Sequence, residues 1–280
     1  MQTITQILQS QGHSAKKIKS LLQTGKVFYQ GMPTADGRRD AKPAHIEVKP
    51  NAPRLRPGRD PVLLFRDDDF VVVYKPARYL SVRAANRHQD PNMMGFVYRI
   101  CGNALPVHRL DEDTSGLMLV ALTEYGQIKL KEQLEARTVS RRYWSLISGH
   151  WTKQKTIDTV LHRNRGDGLR GTRENAADKG QRAITHIQPL QKLRGSTMIQ
   201  CTLETGRTHQ IRIHLSEAKH PVLGDTLYGS LRMKDRAPRL ALHAYSLSFE
   251  HPRTGAKKLF RIPLADDLEK LRRTLAYEEK

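Results

Sequence analysis

Between Val107 and Gly116 the chain reads Val-His-Arg-Leu-Asp-Glu-Asp-Thr-Ser-Gly. Three carboxylates (Asp111, Glu112, Asp113) follow an imidazole (His108) and a guanidinium (Arg109). Thr114-Ser115-Gly116 is turn chemistry, and an apolar run comes next, so this is a loop presenting side chains at a strand end. An ionised carboxylate presented in this way can act as a nucleophile or stabilise a nearby positive charge. Most acidic turns do no more than cap the backbone, so composition alone leaves both readings open.

A second polar stretch, Thr205-Gly206-Arg207-Thr208-His209-Gln210-Ile211-Arg212-Ile213-His214, adds two arginines and two histidines. His209 and His214 lack the i, i+4 spacing that puts two zinc ligands on one helix face, and no third ligand set is near. Ser115 shares a segment with His108 and Asp113, but nothing resembles a nucleophile elbow. The acidic triplet lacks the further carboxylates that a magnesium nuclease needs. No metal and no cofactor are expected.

These residues need elements to position them. Residues 1–50 read as a small module. Ile4, Ile7 and Leu8 have helical spacing and stop at Gly12; Ser14 can cap a second helix carrying Ile18, Leu21 and Leu22, ending at Gly25. A strand at Val27–Tyr29 and a turn at Gly31 follow, and Lys16, Lys17 and Lys19 fall on the polar side of the second helix. Residues 51–61, rich in Pro and Arg, read as a linker, and 62–280 as one catalytic domain. In that domain strand-like runs (70–74, 117–122, 143–147, 183–187, 198–203, 242–249) outnumber helices near 124–136, 209–218 and 266–276. The expected class is α+β with a mixed, largely antiparallel sheet. Residues 163–179 read as an exposed basic loop.

Forty-eight Lys and Arg against 28 Asp and Glu leave a net charge of +20 over 280 residues, which favours a polyanionic partner through counterion release. Apolar runs are strand-sized, so no membrane span is expected. The start, MQTITQILQS, has no basic n-region or long apolar core, so no signal peptide is expected. Two cysteines, Cys101 and Cys201, form no metal or disulfide pattern and fit a cytoplasmic protein.

The string His108-Arg109-Leu110-Asp111, followed by Thr114-Ser115-Gly116, resembles the H-R-L-D signature of RluA-type RNA pseudouridine synthases. Lys75-Pro76, the Arg142-Tyr143 strand, the 205–214 stretch, Gly224-Asp225 with Leu227-Tyr228-Gly229, and Leu242-His243-Ala244 match the family in order across residues 62–268. Arg78, Arg141, Ser145 and Ala265 depart from its usual Gly, Lys, Ala and Pro. The first 50 residues resemble, more loosely, the αL (S-four-type) RNA-binding module, without its Arg-Leu-Asp opening.

The resemblance implies a cofactor-free isomerase that turns uridine into pseudouridine in structured RNA. It makes Asp111 the carboxylate acting at the sugar, Arg212 the cation whose planar fork pairs with it, and Tyr143 a ring against the uracil that helps proton removal. Arg109 would fill the space left by the flipped nucleotide. His108 would either hold the loop or touch RNA, while Arg207, His209, Lys16, Lys17 and Lys19 would add RNA contacts. Ribosomal RNA is the favoured substrate and transfer RNA the alternative, for a monomeric protein. A non-catalytic ribosome-assembly factor on the same scaffold would lack Asp111, Tyr143 or Arg212; all three are present.

Overall fold

The computed structural model describes residues 2–23, 26–29, 32–33, 37, 40–50, 60–83, 87, 90–173, 179–229 and 237–276. The turn expected at Gly31, residues 51–59 of the expected linker and 174–178 of the basic loop lie outside the described residues. The chain divides into two compact units. One is made of Met1–Leu110, Gly116–Val139 and Tyr245–Ala265, the other of Asp111–Ser115, Ser140–Ala244 and Asp266–Lys280.

In the first unit β1 (Gln2–Thr3) leads into α1 (Ile4–Ser10) and α2 (Ala15–Gln23). Thr3 Oγ1 accepts from Gln6 N (3.2 Å) while Gln6 Oε1 accepts from Thr3 N (2.8 Å), a reciprocal cap that starts α1. Ser14 Oγ accepts from Lys17 N at 3.3 Å and starts α2, the cap its position predicts. Strands β2 (Val27–Tyr29), β3 (Met32–Pro33), β4 (Asp40–Ala41) and β5 (Ile46–Val48) follow. Strand β2 pairs with β3 and β5, and β4 with β1. Ile4, Ile7, Leu8, Ile18, Leu21, Leu22 and Val27 bury one another. Lys16, Lys17 and Lys19 stay exposed on the other side of α2, as amphipathic spacing requires.

The same unit continues through β6 (Val62–Arg66), β7 (Phe70–Lys75), α3 (Met93–Cys101), β8 (Leu105–Pro106), β9 (Ser115–Ala121) and α4 (Glu124–Glu135). Strand β7 pairs with β6 and β9, and β9 with β8. Every residue of β7 (FVVVYK) and of β9 (SGLMLVA) is buried, so neither strand shows polar alternation. Lys75 ends β7 fully buried, and its Nζ donates to the carbonyls of Pro76 (2.9 Å) and Tyr79 (2.7 Å). Helix α3 escapes a periodicity reading because MMGFVYRIC has no polar stripe and carries Gly95 inside it. Its end signals are nonetheless present: Asn92 Oδ1 caps Gly95 N at 2.8 Å, and Gly102 closes it at φ 80°.

The second unit holds β10 (Ser140–Ser148), β11 (Lys155–Leu161), β12 (Gln181–Leu193), β13 (Ser196–Leu203) and α5 (Gln210–Glu217). They pair in the order β11-β12-β13-β10. Strand β14 (Leu242–Glu250) begins in the second unit and ends in the first, where β15 (Lys257–Arg261) pairs with it; α6 (Asp266–Leu275) closes the described chain. Among the described residues every ladder within the units is antiparallel, and one isolated parallel bridge joins Leu80 and Asn92. The protein is α+β with a largely antiparallel sheet. No helix among the described residues is long and apolar enough to cross a membrane.

Aromatic packing dominates the core of the first unit. Phe70 meets Phe249 edge-on with centroids 5.1 Å apart, and Phe65 lies 5.2 Å from Phe260. Truncating Phe70 removes a fully buried ring and leaves a cavity among neighbours that cannot fill it. Phe70→Ala should therefore destabilise the protein by about 3–5 kcal/mol in denaturant titration. A loss below about 1 kcal/mol would show that this cluster is not a packed core.

Candidate active site

The carboxylate segment becomes a closed turn: Thr114 N donates to Asp111 O at 3.1 Å. Just upstream, in the first unit, Ser81 Oγ donates to Leu110 O (2.7 Å) and accepts from Leu110 N (2.9 Å). Just downstream, in the second unit, Ser115 Oγ bonds His243 Nδ1 at 2.8 Å with both residues fully buried. Within the second unit the Ser115–His243 bond anchors the downstream end of the turn that carries Asp111. His108 Nε2 accepts from Leu119 N at 3.0 Å, so this histidine holds the loop to β9. Arg109 is exposed.

Helix α5 brings the second motif to Asp111, and its polar residues divide by face. Gln210 and His214, one turn apart, share the side toward β11 and β12. Gln210 Nε2 donates to Ile184 O and Thr185 Oγ1, both at 2.9 Å. Its Oε1 accepts from Thr205 Oγ1 (2.8 Å) and Arg207 N (3.0 Å), which folds the entry turn onto the helix. His214 bonds Thr185 Oγ1 through Nδ1 (2.9 Å) and Thr159 Oγ1 through Nε2 (3.0 Å). Arg212, two residues from each, leaves the helix on another side.

Arg212 does not use its fork on Asp111, contrary to the pairing the sequence suggests. Nε and Nη2 donate to the two oxygens of Asp225, each at 2.8 Å, and Nη1 lies 3.9 Å from Asp111 Oδ2. Asp225 Oδ1 also accepts from Leu227 N (2.9 Å) and Tyr228 N (3.0 Å). Burial works to raise the Asp225 carboxyl, but the Arg212 bonds and charge outweigh it and hold it below the usual carboxylate range. Asp111 keeps 23% of its side chain exposed, and both of its oxygens face cationic or polar groups at about hydrogen-bond-plus-one distance rather than in a closed pair.

His209 is the second group near Asp111, with Nε2 4.0 Å from Oδ1. It precedes α5 in the left-handed region (φ 58°), a strained place for a side chain, and its Nδ1 bonds Tyr228 OH at 3.0 Å. Burial and the Arg212 charge push its pKa down against the pull of Asp111, so the ring is neutral at neutral pH. The Arg212 guanidinium carbon lies 5.2 Å from the Tyr228 ring centroid, a cation–π contact that steadies the arginine from its open face. Tyr143, on β10, is buried, and burial with a further push from Asp111 takes its phenol up to about 12. Arg207 is exposed, its Nε donating to Arg182 O at 3.1 Å. Lys16, Lys17 and Lys19 lie on α2 in the first unit.

Reasoning from sequence missed two residues of this site, Asp225 and Tyr228. Both belong to the Gly224-Asp225…Leu227-Tyr228-Gly229 element, whose motif match was the available signal.

His214 yields a pH test of the scaffold. Burial lowers its pKa from 6.5 to about 4, so the unfolded chain takes up a proton below pH 6.5 that the folded protein refuses. Stability is level above that range and falls as pH drops from 6.5 toward 4. Between pH 7.5 and 4.5 the parent should lose about 2–3 kcal/mol more than His214→Gln in urea titrations. Equal losses in the two proteins would refute a buried neutral imidazole.

Comparison with known proteins agrees with this geometry. The family model described as RNA pseudouridylate synthase matches residues 69–217, more than half of the chain. "Ribosomal large subunit pseudouridine synthase D" of Nitrosomonas europaea is 38% identical over 226 residues, covering 75% of this chain and 63% of that protein. The protein of the same name from Neisseria meningitidis serogroup A is 33% identical over 286 residues, 95% of this chain and 76% of its own length. The chain thus spans just under two thirds of the first relative and about three quarters of the second. Among solved structures, human RNA pseudouridylate synthase domain containing 1 superimposes with a TM-score of 0.62 at 25% identity, over 78% of this chain and 95% of that one. With the H-R-L-D turn and the arginine of α5 brought together as above, the chain belongs to the RNA pseudouridylate synthase family.

Proposed function

We propose that this protein isomerises uridine to pseudouridine in structured RNA, with large-subunit ribosomal RNA as substrate. The observation that carries the reading is Asp111. It is a partly exposed carboxylate that Arg212 Nη1 faces at 3.9 Å, close enough for an ion pair but beyond hydrogen-bond reach. The cation faces the carboxylate, while the open gap leaves its oxygens available to a sugar. The reaction breaks the N1–C1′ bond and forms C5–C1′; carbon 5 loses a proton and N1 gains one. Atoms and electrons balance without oxidant, water or cofactor. Asp111 has two routes, attack on C1′ or removal of a sugar proton, and both need the ionised form. Tyr143, protonated with its phenol at about 12, serves as a ring surface for the uracil and not as a base at neutral pH.

Ribosomal RNA is preferred over transfer RNA because the relatives reported above carry "ribosomal large subunit" in their names. The net charge of +20 supports phosphate contacts, for which Arg109, Arg207, His209 and the exposed lysines of α2 are the proposed contributors. On this reading residues 1–50 are a separate RNA-binding module joined by a linker, and the protein works as a cytoplasmic monomer.

Asp111→Asn tests the assignment, since the amide keeps the shape and removes the charge. Tritium release from carbon-5-labelled ribosomal RNA should fall at least a thousandfold while RNA binding and melting temperature stay near the parent's. Turnover within tenfold of the parent would overturn it. Carbodiimide mapping of both RNA classes in cells with and without the gene decides the substrate: a pseudouridine lost only from transfer RNA would displace the ribosomal reading.

A further inference from the structure

Arg141 stands on β10 two residues before Tyr143, so the two side chains share a face of the strand. It is only 9% exposed, and its Nε is buried without a hydrogen-bond partner. Among the described residues no carboxylate pairs with it. Its guanidinium instead lies against the backbone of Gly206. A methyl group on Gly206 would collide with Nη1 and sit 3.3 Å from the guanidinium carbon. Gly206, Arg207 and Thr208 are exposed and form the turn that enters α5. The positive end of the helix dipole lies at that turn and favours an anion, although Arg207 N is already bonded to Gln210 Oε1.

A buried cation without a counter-charge is unfavourable in the free protein, and a buried unsatisfied donor calls for a missing partner. Nε stays buried, and Nη1 and Nη2, beside the exposed Gly206, are the atoms that an anion arriving from solvent would meet. Arg141 shares a strand face with Tyr143, the ring proposed to lie against the uracil, so such an anion would bind on that side of the site. We propose that Arg141, Gly206 and the turn into α5 form a phosphate site, which takes a backbone phosphate of the RNA strand at the nucleotide delivered to Asp111. Glycine at 206 leaves the space through which the guanidinium and the phosphate meet. The site orients the nucleotide by its backbone and carries no base specificity.

The inference rests on the RNA-modifying reading, and the two fail differently. The full-length protein, Arg141→Gln, Arg141→Lys and Gly206→Ala are titrated with a large-subunit ribosomal RNA transcript over a potassium chloride series. Titrations run at a temperature where circular dichroism shows each variant folded. Arg141→Gln should bind about tenfold more weakly, with the slope of log affinity against log salt reduced by about one. Arg141→Lys should keep the slope. Gly206→Ala, which keeps the charge but displaces the guanidinium, should weaken binding like Arg141→Gln and serves alone if Arg141→Gln does not fold. Losing an unpaired buried cation should leave the melting temperature of Arg141→Gln at or above the parent's, whereas a packing role would lower it. The parent's slope in Arg141→Gln, or in Gly206→Ala where that variant stands alone, overturns the phosphate site. A parent protein that changes no uridine in the transcript defeats the RNA-modifying reading instead.

Discussion

Arg212 gives Nε and Nη2 to the two oxygens of Asp225, and only Nη1 is left to face Asp111. A guanidinium fork holds one carboxylate bidentately, so the choice of partner decides what the other can do. With Asp225 as the partner, the arginine is held in one orientation and its buried charge is compensated. Asp111 receives the field of that cation at 3.9 Å but keeps its lone pairs. A fork closed on Asp111 would have bound the oxygens that the proposed reaction needs. On the proposed function the site uses two carboxylates with different duties, one buried and structural, the other partly exposed and reactive.

The rest of the second unit can be understood as support for that arrangement. Gln210 and His214 fasten α5 to β11 and β12 through Thr185 and Thr159, so the helix cannot rotate and carry Arg212 away. His209 accepts a left-handed backbone at the helix entrance, at a cost of about 1 kcal/mol, and this turns its ring toward Asp111 and Tyr228. The helix–sheet network that stabilises the unit is thus also what aims the reactive groups. Arg141 is the exception, since its buried charge is unfavourable until something outside the chain answers it.

Local patterns in the sequence carried much of this. Thr3, Ser14 and the apolar spacing between Ile4 and Leu22 define α1 and α2 because caps and helical periodicity are short-range signals. The strands at Phe70 and Leu117 are plain apolar runs, and the two polar motifs are continuous strings whose family resemblance points to Asp111 and Arg212. What stayed hidden depends on distance along the chain. Asp225 is thirteen residues from Arg212, across a helix end and a turn, and only the folded loop shows that it takes the fork. Tyr228 stood only as part of a matching motif, and Arg141 only as a departure from the family's usual Lys. Helix α3 was missed for a local reason, because it offers no polar face to read.

If Asp225 acts through Arg212, the two residues form one functional unit, and the most direct measurement is a double-mutant cycle on kcat with Asp225→Asn and Arg212→Lys. Strong non-additivity is expected: each single change slows turnover by about a hundredfold or more through misplacement of the cation, and the double variant is little slower than the worse single one. Costs that multiply across the two positions would contradict it, because Asp225 would then contribute by a route that does not pass through Arg212.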